Sequence, residues 1–244
     1  EMNMPPWFRI AAALLILTGV GCGGRLKYTI QDALLADVPI AEKQSLLGVR
    51  DEQALLKQSR SKAWSEQAIA ERDLKVADAE YRIAKQQIDK VRADLDLAKT
   101  TKDVNRINHA QARLDVAELG RNTADTKVAW RKLRLSYAQQ QVRVLDLQAQ
   151  HVEARYEQEK ARLAAAKGKT PYKGFSLSQF DLQVSEAQAR WDKERVESDR
   201  LKQEILQIEG RYQALQQQLS LARSESPSQA VPPAPPLSAS PPSR

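Results

Sequence analysis

Apolar residues recur at alternating steps of three and four over long stretches of this chain, which is the spacing of helices that zip along a seam. In the first stretch the pattern runs Ala70, Leu74, Ala77, Tyr81, Ala84, Ile88, Val91, Leu95, Ala98. Extended backward, the same register gives Val49, Leu56 and Ala63, alternating with Gln53, Arg60 and Gln67. A second stretch keeps a register of its own, from Ile107 and Ala110 through Val128, Leu135, Val142, Leu145, Val152 and Tyr156 to Leu163 and Ala166, interrupted at Arg121, Arg131 and Glu159. A third runs from Leu177 and Phe180 through Val184, Ala187, Trp191, Leu201, Ile205, Ile208, Tyr212, Leu215 and Leu219 to Ala222, with Glu194 and Ser198 as polar interruptions. These seams predict helices over about 38–99, 104–167 and 177–222, an all-α coiled-coil bundle over 38–223.

The joints follow from local chemistry. Pro39 suits a first helical turn, where its missing N–H is not needed. The first two registers do not join across Lys99-Thr-Thr-Lys-Asp103; Thr100 and Thr101 are poor in helix interiors, and Asp103 can cap the next helix. This break is either a hairpin turn or a stutter in one continuous helix. At about 1.5 Å per residue, the two stretches of roughly 60 residues would each run on the order of 90–100 Å. Seams of matched length can cover one another, which favours an antiparallel hairpin with a third helix added. The second joint carries its own punctuation, Gly168-Lys-Thr-Pro-Tyr-Lys-Gly174. Ser176 stands three residues before Gln179, a capping-box spacing, and Phe175 and Phe180 flank it as a hydrophobic staple. Many seam positions are Ala, so each buries little and stability must come from length.

Composition agrees with long helices: aromatic residues are 5% and charged residues 28% of the 244-residue chain. Seven of the 11 prolines lie beyond residue 226, so residues 224–244 read as an extended, disordered tail that serves as a spacer or binds a partner. The net charge of +7 sits mostly on the middle segment, around Arg131, Lys132 and Arg134. It reads as a solvated helix face rather than a surface for nucleic acid.

The first residues do not follow the helical pattern. Arg9 precedes the apolar run Ile10-Ala-Ala-Ala-Leu-Leu-Ile-Leu-Thr-Gly-Val20 and then Gly21-Cys22-Gly23-Gly24. That order is a secretory signal peptide, and its apolar core is well short of the roughly 20 residues that span a bilayer. Gly19-Val20-Gly21-Cys22 resembles the lipobox of bacterial lipoproteins, although the family prefers Leu where Gly19 stands. The resemblance implies that residues 1–21 are a lipoprotein signal peptide, that Gly21–Cys22 is the cleaved bond and that Cys22 is the lipidation site. It implies further that 22–37 are anchor and linker, and, with Gly23 after the cysteine, that the protein is delivered to the periplasmic side of an outer membrane. Cys22 is the chain's single cysteine and has no disulfide partner.

No motif for chemistry accompanies these features. His109 and His151 are 42 positions apart and show no metal-ligand spacing, and no nucleophile elbow or phosphate-binding glycine loop occurs. No catalytic, cofactor-binding or metal site, no small-molecule substrate and no nucleic-acid partner is expected. Trp191 lies on its seam, while Trp64 and Trp130 lie beside theirs, placed to pack against the third helix or another chain. Gly120 and Gly210 fall inside helices, where they mark a kink or a close crossing. The expected role is a lipid-anchored cell-envelope scaffold, with the membrane reached through the lipid and an envelope protein, cell-wall polymer or second copy met through the coiled coil. The chain resembles coiled-coil envelope lipoproteins in this general way. Alternatives are a basic periplasmic holdase chaperone, or a coiled-coil adaptor or regulator of an envelope complex.

Overall fold

The computed structural model describes residues 26–225. The expected signal peptide over 1–21, with Gly21 and Cys22, and the tail beyond 225 lie outside the described residues. The fold is all-α. Helix α1 spans Gln44–Thr100, α2 spans Val104–Ala166 and α3 spans Leu177–Glu225. Two short 3-10 turns, Asp32–Leu35 and Ile40–Lys43, precede α1. Among the described residues there is no strand, and no helix is long and apolar enough to cross a membrane.

Contacts divide the described residues into two units, one of those up to 73 with 132–205, the other of 74–131 with those from 206 onward. In the second unit α1 and α2 form an antiparallel hairpin. Asp94 pairs with Arg113 at 3.0 Å, Arg92 with Glu118 at 3.2 Å and Glu80 with Lys127, so partners climb one helix as they descend the other. The break over 99–103 is therefore a turn, not a stutter. Thr100 and Thr101 turn their hydroxyls back onto the carbonyls of Leu97 and Ala98. Lys102 then takes the left-handed conformation, φ 54°, which ends the helix without a glycine. Asp103 Oδ1 accepts from the backbone N–H groups of Asn105 and Arg106, at 2.9 and 3.3 Å, and starts α2.

In the first unit the same pairing continues through Glu52–Arg155 at 2.9 Å and Arg60–Asp146 at 2.6 Å. Each of these pairs is about one-third exposed, so each contributes little by itself and acts mainly on register. Val49, Leu56, Ala63, Ala77, Ile88, Val91 and Leu95 are all buried, and the intervening Gln53, Arg60 and Gln67 are half-buried. The α1 seam thus faces inward along its whole predicted length.

Helix α2 differs from its sequence-level description. It carries a second inward stripe that the heptad count does not register: Trp130, Leu133, Tyr137, Gln140, Val144, Leu147, His151, Ala154, Gln158 and Ala161, none of them exposed. This stripe meets α3, while the first stripe meets α1. Its polar members fall opposite the polar interruptions of α3. Gln140 Nε2 donates to Glu194 twice, to the backbone carbonyl at 3.0 Å and to the carboxylate at 2.6 Å, and Gln141 bonds Ser198. The polar interruptions of the third seam therefore meet polar partners on α2.

The α2–α3 joint is built on its glycines. Gly168 (φ 64°) and Gly174 (φ 81°) hold conformations that side chains rarely adopt. The Gly168 and Lys169 N–H groups close back on the carbonyls of Ala165 and Ala164, both at 2.9 Å, forming a Schellman end to α2. The Phe175–Phe180 staple is present, with ring centroids 6.0 Å apart. The capping box is not formed: Ser176 Oγ bonds Ser178 Oγ, and Gln179 Oε1 is taken by the Tyr172 hydroxyl.

Two substitutions at the hairpin turn test these ends. Asp103→Ala should lower stability by about 1 kcal/mol through loss of the cap. Lys102→Gly should raise it by roughly 0.5–1 kcal/mol by relieving the left-handed strain. Urea denaturation followed by circular dichroism checks both signs.

Candidate functional site

Residues 28–38 are where the folded chain emerges from the segment that carries Cys22. Residues 22–37 were expected to be anchor and linker; in their described part they are instead packed onto the helices. Ile30, Leu35 and Val38 are almost fully buried. Ile30 packs with Ala161 and Phe180, and Leu35 and Val38 pack with Leu46 and Ala164. Small residues at 161 and 164 let the strap lie close against α2.

Polar contacts fix the strap where apolar burial alone would let it slide. The Gln183 side-chain amide pairs with both backbone groups of Tyr28, accepting from its N–H at 2.9 Å and donating to its carbonyl at 3.1 Å. The Tyr28 ring stands 5.9 Å from that of Phe180. Glu157 is buried and uses both oxygens: Oε2 accepts from the Ile30 N–H at 2.6 Å, and Oε1 accepts from Lys160 at 2.8 Å. Lys160 is buried too, and its ammonium reaches Asp32 at 2.7 Å. Further along, Lys169 donates to the Leu34 carbonyl at 2.7 Å and pairs with Asp37, while Lys167 pairs with Glu42 at 2.7 Å.

The charge states suit this arrangement. The hydrogen bond from Lys160, helped by the charges of Lys160 and Arg50, holds the Asp32 carboxyl below its usual range against the opposing effect of burial. Burial by itself would lower the Lys160 pKa, but the hydrogen bonds to Asp32 and Glu157 outweigh it and raise that pKa. Both groups are therefore charged across the neutral range.

None of this was singled out in the sequence. The available signal was the apolar set Ile30, Leu35 and Val38 ahead of Pro39, together with Glu157 and Lys160 on a helix face outside the first heptad register. Of the residues that were singled out, His109 is exposed near the start of α2, and His151 is buried, its ring 5.6 Å from and nearly parallel to Trp191. Burial, and secondarily Arg155, push the His151 pKa down, against the pull of Glu52 and Asp192. Trp130 stacks on Tyr212 of α3 at 5.4 Å. Trp64 does not pack against α3; it is 56% exposed, with the Arg60 guanidinium 5.7 Å from its ring. Leu219 comes to ordinary contact distance of the site that a Gly120 Cβ would occupy, 3.9 Å, and Gly210 faces open space, so neither glycine is required by a tight crossing.

Each unit carries a concavity among its described residues. One, of about 160 Å³, lies between the strap and α1 and is bordered by Asp32, Lys43, Arg50 and Lys160. The other, of about 580 Å³, is an apolar groove between α1 and α2 in the second unit, with Arg223 of α3 on its edge. Among the described residues, no group of three metal-ligating side chains converges. No protein-family profile, curated protein or solved structure matches the chain.

Two measurements test the strap and the buried ring. Glu157→Ala removes the buried counter-charge of Lys160, leaves it only the exposed Asp32, and leaves the Ile30 N–H without an acceptor; it should cost about 3 kcal/mol. The double variant Glu157→Met with Lys160→Met should recover much of that loss, as judged by urea midpoints. His151 has a folded pKa below its unfolded value, so the unfolded chain takes up the proton first as pH falls. Stability should therefore decline as pH drops below about 6.5. His151→Phe should flatten that decline, seen as a smaller difference in urea midpoint between pH 7.5 and pH 5.

Proposed function

We propose that this protein is a lipid-anchored scaffold of a bacterial cell envelope, held to the periplasmic side of an outer membrane through Cys22 and meeting envelope partners through its helices. The observation that carries the reading is the signal-like segment ending in Gly21-Cys22, followed directly by a strap fixed to a helical bundle. Cys22 precedes Tyr28 by six positions. At no more than about 3.6 Å per residue, the backbone of Cys22 lies within roughly 22 Å of that of Tyr28. A load on the anchor then passes into α2 and α3 through Glu157, Gln183 and Phe180 instead of through a loose linker. Stable attachment needs more than one acyl chain, which the lipoprotein modification supplies. In this reading the helices carry no reaction centre, and the protein acts by binding.

A holdase chaperone is the second reading. Favouring it is a row of exposed apolar side chains on α1 in the second unit, Val76, Ile83 and Leu97, which recur at multiples of seven. Such a row offers a surface to unfolded apolar segments.

Mass spectrometry of the protein recovered from membranes of a bacterial expression host decides between the two. The scaffold reading expects a mature chain that begins at an acylated Cys22, and a Cys22→Ser variant released from the membrane. An unacylated chain, cleaved elsewhere and recovered free of membrane, would sink it in favour of the chaperone.

A further inference from the structure

Helix α3 stops at Glu225 while the groove between α1 and α2 is still open beside it. The walls of the groove are aliphatic and its floor is small: Ile83 and Val91 come from α1, Val116, Ala117 and Gly120 from α2. Arg223, in the last turn of α3, forms the third edge. Two of the three flanking charges have partners, Glu80 with Lys127 and Arg113 with Asp94, and Arg223 stands at the edge. The walls and floor therefore favour an apolar occupant. It must also be thin, because Ala and Gly make a shallow floor whereas a helix with its side chains is about 10 Å across.

The sequence that follows α3 meets these conditions. From Ser226 to Ser243 it contains no charged residue, and its centre is Ala230-Val-Pro-Pro-Ala-Pro-Pro-Leu237. Proline-rich chain adopts an extended helix without internal hydrogen bonds, so it docks in an apolar cleft without leaving helix or sheet bonds to be made. Arg113 to Ala124 on α2 marks a groove of about 16 Å at 1.5 Å per residue. Eight residues of polyproline chain cover about 25 Å, enough to span the groove and overrun it by about three residues. Ser226–Gln229 give a short polar connection from the last turn of α3 to the groove. Such a tether holds the segment at an effective concentration on the order of millimolar.

We propose that residues 230–237 are the occupant of this groove, a proline-rich strip of the chain lying along the α1–α2 seam beside the end of α3. This inference is independent of the lipid anchor.

The test uses the full chain carrying Cys22→Ser and Gln87→Cys, the latter an exposed position on the groove's rim, labelled with a polarity-sensitive dye. Emission should be blue-shifted in the full chain and shift to the red when the chain is cut after Glu225. Adding a synthetic peptide of residues 226–240 to the cut chain should restore the blue shift. A Val231→Asp, Leu237→Asp double variant, which leaves the helices untouched, should behave like the cut chain, with unchanged circular dichroism in all cases. Emission that is the same with and without the tail would overturn the proposal. So would a blue shift that survives truncation and grows with protein concentration, since a second copy would then fill the groove.

Discussion

Everything in this fold depends on α2 burying two stripes at once. A helix with one apolar stripe can satisfy a single neighbour, and α1 and α3 are of that kind. Because α2 faces α1 with Val128, Val152 and Tyr156, and α3 with Val144, His151 and Ala154, it joins them into one bundle in each unit. The cost of a two-faced helix is that little surface remains for charge, so polar groups enter the second face. They are tolerated because they are matched: Gln140 meets Glu194 and Gln141 meets Ser198. A slip of α3 along α2 would strand a buried amide and a carboxylate, which is more costly than the loss of a few Ala contacts. The polar layer thus supplies register where small, similar side chains supply almost none.

The same logic explains the strap. Ala161 and Ala164 leave space on α2, and Ile30, Leu35 and Val38 fill it together with Leu46 of α1 and Phe180 of α3. Apolar fit sets the location, while Glu157, Lys160 and Gln183 fix which backbone groups sit there. Buried ion pairs are weak sources of stability, but breaking one is costly, which makes them good at excluding alternatives. For a protein read as anchored just upstream, a strap that cannot slide is a mechanical asset.

The proposed scaffold role and the proposed cover of the groove rest on different residues. The first rests on Cys22 and the strap; the second on the end of α3 and the proline-rich segment after it.

The sequence alone determined the helices, their ends to within a few residues, and the inward seam of α1, because a heptad stripe and its punctuation are local properties read one segment at a time. It left the 99–103 break open and did not register the second stripe of α2, which mixes Trp130, Gln140 and His151 and looks polar until α3 is set beside it. The strap was missed because its partners lie over 120 positions away, Tyr28 with Gln183 and Ile30 with Glu157. Only the tertiary structure decided which polar side chains are inside. A buried Gln or Glu is indistinguishable from a solvated one in sequence, since its burial is permitted by a partner that another helix brings.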